Sequence, residues 1–322
     1  MALTDLPLSE LRTFRPEVQE PDDFDEFWSS TLAGSRELAE APQVVPVSTV
    51  MTTVDVYDVT FSGFGGHPIR AWLTVPAGTT TPLPAVIEYQ GYNGGRGLAG
   101  ERLMWASAGY AHLFVDTRGQ GSGWGTGGDT PDPAGSDASV SGWMTRGILD
   151  KDTYYYRRLF TDAVLAVDAA RSLPLVDSAR ISVTGGSQGG GIALAVAGLV
   201  PDLRAVMPDV PFLCHFRRGA EIATSDPFTE IVQYLSVHRN ASEQVFDTLS
   251  YFDGVNFARR ATAPALFSVA LMDDVVPPST IFAAFNRYAA DAAIEVYAFN
   301  GHEGGQQVQF FRQVAWLPQR LG

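Results

Sequence analysis

Short apolar runs that end in polar or glycine residues recur through the middle and C-terminal parts of the 322-residue chain. Their length is typical of buried strands. These runs are PAVIEYQ (84–90), AHLFVD (111–116), ISVTGG (181–186), LRAVMPDV (203–210) and ALFSVALMD (265–273). The segments between them are long enough for helices, most clearly residues 152–173. Buried strands that alternate with helices predict an α/β fold, with a mostly parallel central sheet flanked by helices.

The first 76 residues follow a different pattern. DDFDEFWSSTLA (22–33) has an acidic first turn and apolar residues at helical spacing, which predicts a helical extension within residues 1–40. VDVYDVTF (54–61) then alternates between apolar and polar residues, and IRAWLTVP (69–76) follows across a glycine-containing turn. These two segments predict an antiparallel hairpin.

Residues 119–147 form a long connection rich in Gly, Pro, Ser and Asp. Connections of this length inside a compact domain are usually functional or disordered. The sequence contains no internal repeat and no linker between two independent cores. We therefore interpret residues 1–322 as one domain that carries an N-terminal extension and a loop insertion at 119–147.

Composition restricts the partners and the location of the protein. The formal net charge of −14 argues against binding to nucleic acid or to anionic membranes. The one cysteine, Cys214, lies in the apolar segment VPFLCHF and is expected to be a buried structural thiol. The N-terminal residues lack the pattern of a secretion signal, and a single cysteine fits a reducing compartment, so we expect a cytoplasmic location.

One serine lies among glycines at the end of the third apolar run. Gly185-Gly186-Ser187-Gln188-Gly189 matches G-x-S-x-G, the turn that exposes a nucleophilic serine between a strand and a helix. Glycine two positions before and after the serine lets the strand and the helix approach closely. The strand-like RISV before this motif and the apolar IALAVAGLV after it supply the context that the motif requires.

Other interpretations of the glycine-rich segments fit less well. The spacing G-x-G-x-x-G occurs at Gly123, Gly125 and Gly128, inside the long connection and with no helix directly after it. No phosphate-binding G-x-x-x-x-G-K-[ST] occurs. HEGGQ (302–306) lacks the second histidine of a zinc-binding H-E-x-x-H, so neither a metal nor an organic cofactor is expected.

A serine hydroxyl needs a base to take its proton, and histidine has the suitable pKa. Of the five histidines, His302 follows the last strand-like run within a polar, glycine-rich loop, which favours it as the base. The acid that orients the histidine is expected between Ser187 and His302 at a strand end. In LMDDVVPPS, Asp273 aligns with the pattern D-x-x-V-P; Asp274 is the near alternative and Asp209 a distant one.

Segments along nearly the whole chain resemble the carbohydrate esterase family 7 enzymes, which are acetyl xylan esterases and cephalosporin C deacetylases of the α/β-hydrolase superfamily. The matching segments are DLPLSELRTFRPE (5–17), DFDEFWSSTLA (23–33), YQGYNGGRG (89–97), VDTRGQGS (115–122), GWMTRGILDKDTYYYRRLFTDAV (142–164), GGSQGGGIALAVAGL (185–199), DVPFLCHFRR (209–218), LMDDVVPPSTIFAAFN (271–286) and NGHEGG (300–305). RGQ, GGSQGG and HE are more specific than G-x-S-x-G alone.

The resemblance implies a serine esterase that removes acetyl groups from small substrates such as acetylated xylo-oligosaccharides and cephalosporin C. It implies an oxyanion hole made by the backbone N–H groups of Tyr92 and Gln188. It also implies a homo-oligomer, a hexamer, with residues 119–147 as an interface insertion. Arg118 and Gln120 are interpreted as structural residues, although an arginine there could also touch substrate.

Selectivity for acetyl groups predicts a small acyl pocket. Trp105 and Trp124 are candidate walls, although aromatic residues near a site are more often core residues.

Two other functions remain open at this point: a carboxylesterase of the same fold acting on another small ester in a biosynthetic pathway, and a non-catalytic ligand-binding protein with an α/β-hydrolase fold.

Overall fold

The computed structural model describes residues 5–135 and 137–322. Nine strands in these two ranges form one sheet, in the order β1-β2-β3-β5-β4-β6-β7-β8-β9. The strands are β1 (Gln43–Val47), β2 (Val54–Ser62), β3 (Pro68–Pro76), β4 (Leu83–Tyr89), β5 (Ala111–Val115), β6 (Val176–Gly186), β7 (Ala205–Asp209), β8 (Ala265–Ala270) and β9 (Ala292–Tyr297).

Strand direction divides the sheet into two parts. β1, β2, β3 and β5 pair in antiparallel fashion, and β2 with β3 is the hairpin predicted from the alternating segments. The strands from β5 through β4, β6, β7 and β8 to β9 pair in parallel. The mostly parallel α/β sheet predicted from the apolar runs is therefore confirmed. β1 is an exposed edge strand that contains Pro46, a residue that edge strands tolerate.

Eleven helices belong to the described part of the chain. They are α1 (Leu8–Leu11), α2 (Phe24–Glu37), α3 (Met104–Ser107), α4 (Tyr155–Ser172), α5 (Gln188–Leu199), α6 (Phe216–Ile222), α7 (Phe228–Val237), α8 (Ser242–Ser250), α9 (Gly254–Ala258), α10 (Pro278–Phe285) and α11 (Gln306–Trp316). α1 and α2 lie in the predicted N-terminal extension, of which residues 1–4 fall outside the described residues. None of the helices in these ranges is long and apolar enough to cross a membrane.

Side chains alternate between the two faces of the sheet and so supply two apolar layers. Ile87 and Val183 belong to the large cluster that also contains the buried faces of α2, α4 and α5. Val86 and Met207 point to the other face, where they cluster with Trp105 and the C-terminal Leu317. The sheet is thus covered by helices on both faces, as parallel strands require.

The chain reverses its direction of travel across the sheet at β4. β5 pairs with one side of β4 and β6 with the other, so the loops after β4 and β6 diverge above the sheet. Ligands of open α/β sheets bind in the crevice at such a point. Tyr89, the last residue of β4, pairs with Gly185 near the end of β6. This pairing brings the turn around Tyr92 beside Ser187.

Two long segments lie above the carboxyl ends of the strands. Apart from Ser136, which lies outside the described residues, the 119–147 segment contains one regular element, the short 3₁₀ turn Trp143–Thr145. The second segment connects β7 to β8 and carries the four helices α6 to α9. Both segments contribute walls or supports to the site described next.

Candidate active site

Ser187 occupies a strained turn between β6 and α5. Its backbone has φ 55° and ψ −118°, in the left-handed half of conformational space that side chains rarely adopt. Its N–H donates to the carbonyl of Asp209 at 2.9 Å, which fixes the turn to the end of β7. A Cβ at Gly189 would lie 2.1 Å from the carbonyl oxygen of Tyr89, and one at Gly185 would lie 2.5 Å from the Gly189 backbone. The two outer glycines of G-x-S-x-G are therefore required by close backbone approach.

The serine, histidine and aspartate selected from the sequence meet at the ends of three strands. Ser187 Oγ lies 2.9 Å from His302 Nε2, and His302 Nδ1 lies 2.8 Å from Asp273 Oδ2. A carboxylate only accepts hydrogen bonds, so Nδ1 carries the proton and Nε2 accepts from the serine hydroxyl. This is the tautomer that a histidine needs to act as a base toward serine.

The carboxylate of Asp273 is fully buried and held by its own loop. Its Oδ1 accepts the backbone N–H groups of Val275 and Val276 at 2.9 and 2.8 Å, which leaves Oδ2 for the histidine. Asp274 is exposed, and its carbonyl accepts the hydroxyl of Ser225. The structure brings Asp273, and neither of the two alternatives, into contact with His302.

The two residues expected to supply oxyanion donors, Tyr92 and Gln188, lie close to Ser187. Gln188 is the first residue of α5, and the first N–H groups of a helix have no acceptor within the helix. Tyr92 lies in the turn after β4 and lines the same cavity as Ser187. Trp124 donates its indole N–H to the Tyr92 carbonyl at 2.6 Å, and Gln120 Oε1 accepts the next N–H, that of Asn93, at 2.7 Å. The peptide group between Tyr92 and Asn93 is thus hydrogen-bonded through both its carbonyl and its N–H.

The side chain of Gln188 is buried beneath this turn and takes no place in the cavity lining. Its Oε1 accepts from Tyr156 at 2.9 Å and from Gln120 at 3.0 Å, and its Nε2 donates to the carbonyl of Gln90 at 3.2 Å. Gln120 therefore links the start of α5 to the Tyr92 turn. Arg118 is fully buried and forms ion pairs with Asp162 and Asp132, away from the cavity. These contacts support the structural interpretation of Arg118 and Gln120.

Glu230 on α7 was not recognised from the sequence, yet it supports the turn that contains Tyr92. Its Oε1 accepts the Tyr92 hydroxyl at 2.6 Å and the N–H of Gly142 at 3.0 Å, and its Oε2 accepts the N–H of Met144 at 3.1 Å. The hydroxyl of Tyr92 in turn accepts the N–H of Trp143 at 3.0 Å. Burial raises the pKa of Tyr92, and the Glu230 charge raises it further, so the hydroxyl stays protonated and donates.

A cavity of about 530 Å³ lies above Ser187. Trp124 lines it beside the Tyr92 turn and is 49% exposed, so it stands at the cavity mouth. Trp105 does not line this cavity: it is buried against Tyr110 and Phe310 on the far side of the sheet end. Of the two tryptophans selected as acyl-pocket walls, the structure brings only Trp124 to the serine.

Further charged residues also line this cavity, among them Glu88, Arg102 and Asp209, of which the sequence analysis named only Asp209, as a distant alternative for the acid. Glu88 is the one charged residue in the apolar run of β4. This exception to the apolar pattern could have indicated a functional residue. Burial raises the pKa of Asp209 to about 7, although hydrogen bonds from Gln313 and other side chains oppose the shift. Although burial pushes the pKa of Glu88 upward, contact with His112 and the charge of Arg102 bring it below its ordinary value.

Comparison with known proteins identifies the family to which the chain belongs. Residues 1–320 match the family model described as acetyl xylan esterase (AXE1). The chain belongs to the acetyl xylan esterase family. Membership of this family makes the protein a carboxylic ester hydrolase that acts on acetyl esters. The family resemblance stated from the sequence motifs is thereby confirmed.

Individual relatives match along most of their length. The acetyl xylan esterase from Paenibacillus sp. R4 is 41% identical, with a TM-score of 0.91 over 98% of this chain and 100% of that chain. Acetyl xylan esterase 1 from Thermoanaerobacterium sp. JW/SL YS485 is 32% identical, with a TM-score of 0.88 over 98% and 99% of the two chains. Acetyl esterase Axe7A of Xylanibacter ruminicola is 26% identical over 95% of this chain and 69% of its own length.

Proposed function

We propose that the protein hydrolyses acetyl esters through an acetyl-enzyme intermediate on Ser187. His302 Nε2 takes the proton of Ser187 Oγ as the oxygen attacks the acetyl carbonyl. The developing oxyanion is bound by the N–H groups of Tyr92 and Gln188, and Asp273 stabilises the imidazolium. His302 then protonates the departing alcohol, water attacks the acetyl-enzyme with the same histidine as base, and acetate leaves. Every step uses groups of this chain, with no cofactor.

The single observation that carries this proposal is the continuous hydrogen-bonded chain from Asp273 through His302 to Ser187, with both contacts shorter than 3.0 Å. The strained backbone of Ser187 supports it, because strain of this kind is maintained where a side chain must be held in position.

For the substrate, we propose small acetylated compounds, with acetylated xylo-oligosaccharides first and cephalosporin C as a further candidate. The names of the relatives support acetylated xylan or its fragments. The cavity above Ser187 supports a small substrate, because its volume of about 530 Å³ lies in the lower part of the usual range for ligand sites.

Replacing Ser187 by alanine tests the proposal. We expect Ser187→Ala to lose hydrolysis of p-nitrophenyl acetate by at least about 10⁴-fold, since no other group on the triad can form the acetyl-enzyme. The circular dichroism spectrum and the melting temperature should stay close to those of the wild type. Retained turnover in a folded variant would reject Ser187 as the nucleophile.

Location and assembly are part of the same proposal. The one cysteine, Cys214, is buried, and its burial raises the pKa of the thiol, which suits a structural residue in the reducing cytoplasm. Family membership supports a homo-oligomer, and we propose a hexamer in which residues 119–147 contribute to the contacts. Light scattering measures the mass of the assembly, and a monomer would contradict this part of the proposal.

A further inference from the structure

A second cavity of about 420 Å³ lies beside the cavity of Ser187. The two share five wall residues: Glu88, Arg102, Gly186, Asp209 and Gln306. We refer to the second cavity as the side chamber. Since Gly186 directly precedes the nucleophile, the side chamber begins one residue away from the reacting serine.

The side chamber lies on the side of the histidine. Gln306 and Gln307 line it, and they follow His302 closely along the chain at the start of α11. In the proposed reaction the departing alcohol takes its proton from His302 Nε2. Trp124 and Ser141, by contrast, line only the cavity of Ser187, on the side of the oxyanion turn. In the proposed reaction the alcohol part of the ester lies next to His302, and the side chamber adjoins this end of the Ser187 cavity through Gln306.

The polar wall of the side chamber has both hydrogen-bond donors and acceptors, because Arg102 lies there beside the carboxylates of Glu88 and Glu101. Arg102 Nη1 lies 3.4 Å from Glu88 Oε1, and their side chains are 39% and 19% exposed, so both have capacity for a further partner. Asp209 also lines the chamber, and its buried Oδ1 has no hydrogen-bond partner within residues 5–135 and 137–322. Buried polar atoms are rarely left without a partner, so this oxygen is suited to accept a hydroxyl group of a ligand.

The opposite wall of the side chamber is aromatic. Trp105 and Phe310 line it, with their ring centroids 4.9 Å apart. Binding sites for small molecules combine an apolar wall with a few well-placed polar groups, and the chamber volume lies within their usual range. An uncharged ring that carries several hydroxyl groups matches both walls, because its hydroxyls suit the Glu88–Arg102 pair and its C–H face suits the aromatic rings.

We propose that the side chamber binds the alcohol part of the ester as an uncharged, polyhydroxylated group, a glycosyl unit, whose hydroxyls contact Arg102 and Glu88. This inference rests on the proposed esterase function and adds to it the residues that select the leaving alcohol. Trp105 does not line the Ser187 cavity. In this proposal it contacts the leaving alcohol and not the acyl group.

The experiment compares two substrates in two variants. Arg102→Met removes the hydrogen-bonding group but keeps the length of the side chain, and Arg312→Met is the matched control, since Arg312 pairs with Glu295 outside the chamber. We expect Arg102→Met to lower kcat/KM for acetylated xylobiose about tenfold, mainly through KM, because a hydrogen bond to a charged group is lost. The loss on p-nitrophenyl acetate, whose leaving group has no such hydroxyls, should be several-fold smaller than the loss on acetylated xylobiose, and Arg312→Met should leave both substrates unchanged.

Gln307→Leu, at an exposed residue of the chamber wall, is a second variant. We expect it to lower kcat/KM for acetylated xylobiose by less than Arg102→Met does, again with a smaller effect on p-nitrophenyl acetate. Equal losses on both substrates, no loss on either, or a wild-type enzyme that cleaves p-nitrophenyl acetate but not acetylated xylobiose would each overturn the assignment of the side chamber. Failure of the wild type to hydrolyse p-nitrophenyl acetate would instead contradict the esterase proposal itself. The two failures are thus distinguishable.

Discussion

Two neighbouring aspartates at the end of β8 have opposite surroundings. Asp273 is fully buried, with both carboxylate oxygens hydrogen-bonded, whereas the side chain of Asp274 faces solvent. The sequence pattern favoured Asp273 but left Asp274 open, because adjacent residues at a strand end differ only in the direction of their side chains. That direction is set by the backbone N–H groups of Val275 and Val276, which sequence reasoning had no means to place.

Replacing each aspartate by asparagine separates their roles. We expect Asp273→Asn to lower kcat about 10⁴-fold, because an amide at this position favours the wrong histidine tautomer. Asp274→Asn should keep kcat within about twofold of the wild type. The measurement is hydrolysis of p-nitrophenyl acetate at saturating concentration, and a comparable loss in both variants would contradict the assignment of the acid.

At the scale of elements, the Tyr92 turn is supported by parts of the chain that are far apart in sequence. Glu230 on α7 contacts Tyr92 across 138 positions and also binds two N–H groups of the 119–147 insertion, those of Gly142 and Met144. Asp132 anchors the same insertion to Arg158 on α4 at 2.8 Å. The insertion is therefore bonded to the scaffold of the site, whatever contacts it makes in an assembly.

Glu230→Gln tests whether this support affects catalysis. Glutamate accepts from three donors at once, whereas glutamine presents an N–H to at least one of them and disrupts the contact. We expect kcat for p-nitrophenyl acetate to fall about tenfold with little change in KM, since a displaced oxyanion donor weakens transition-state binding. Glu243→Gln, at an exposed position of α8, is the control and should leave both constants unchanged. A higher KM with unchanged kcat would assign Glu230 to substrate binding instead.

The elements that the sequence predicted share one property, a dense apolar pattern that burial imposes. The parallel strands, the β2–β3 hairpin, α2 and α4 all have such patterns and all occur in the structure. β1 was not predicted because it is exposed at the sheet edge, where burial does not impose an alternating pattern. Glu230 escaped for a different reason: a lone glutamate on a helix is usually solvated, and only the fold shows that it meets Tyr92.

At the scale of the whole molecule, the sheet collects carboxylates from separate strands beneath the site. Glu88 on β4 and Asp209 on β7 both line the Ser187 cavity and the side chamber. The negative charge of Glu88 adds to the desolvation that raises the pKa of Asp209. The composition gives the total charge of −14 but not the place where two carboxylates become neighbours, and that place contributes to the pH dependence of stability.

The sign of this sensitivity follows from the pKa of Asp209, which burial raises from 3.8 to about 7. Between these two values the folded chain holds a proton that the unfolded chain has released. Stability therefore falls as pH rises through this window, by about 1.4 kcal/mol for each pH unit. Asp209→Asn removes the titrating group and with it this loss of stability at higher pH.

We accordingly expect Asp209→Asn to melt at a higher temperature than the wild type at pH 8, with a much smaller difference at pH 5, where the wild-type carboxyl is still protonated. The amide that replaces the carboxyl keeps an oxygen that can accept the hydrogen bond from Gln313, so the substitution preserves the local packing. The measurement is thermal unfolding of both proteins at the two pH values, with Asp22→Asn at an exposed position as the control. A melting difference that does not grow with pH would show that Asp209 is ionised in the folded protein at neutral pH, and hence that the sheet end solvates its charge.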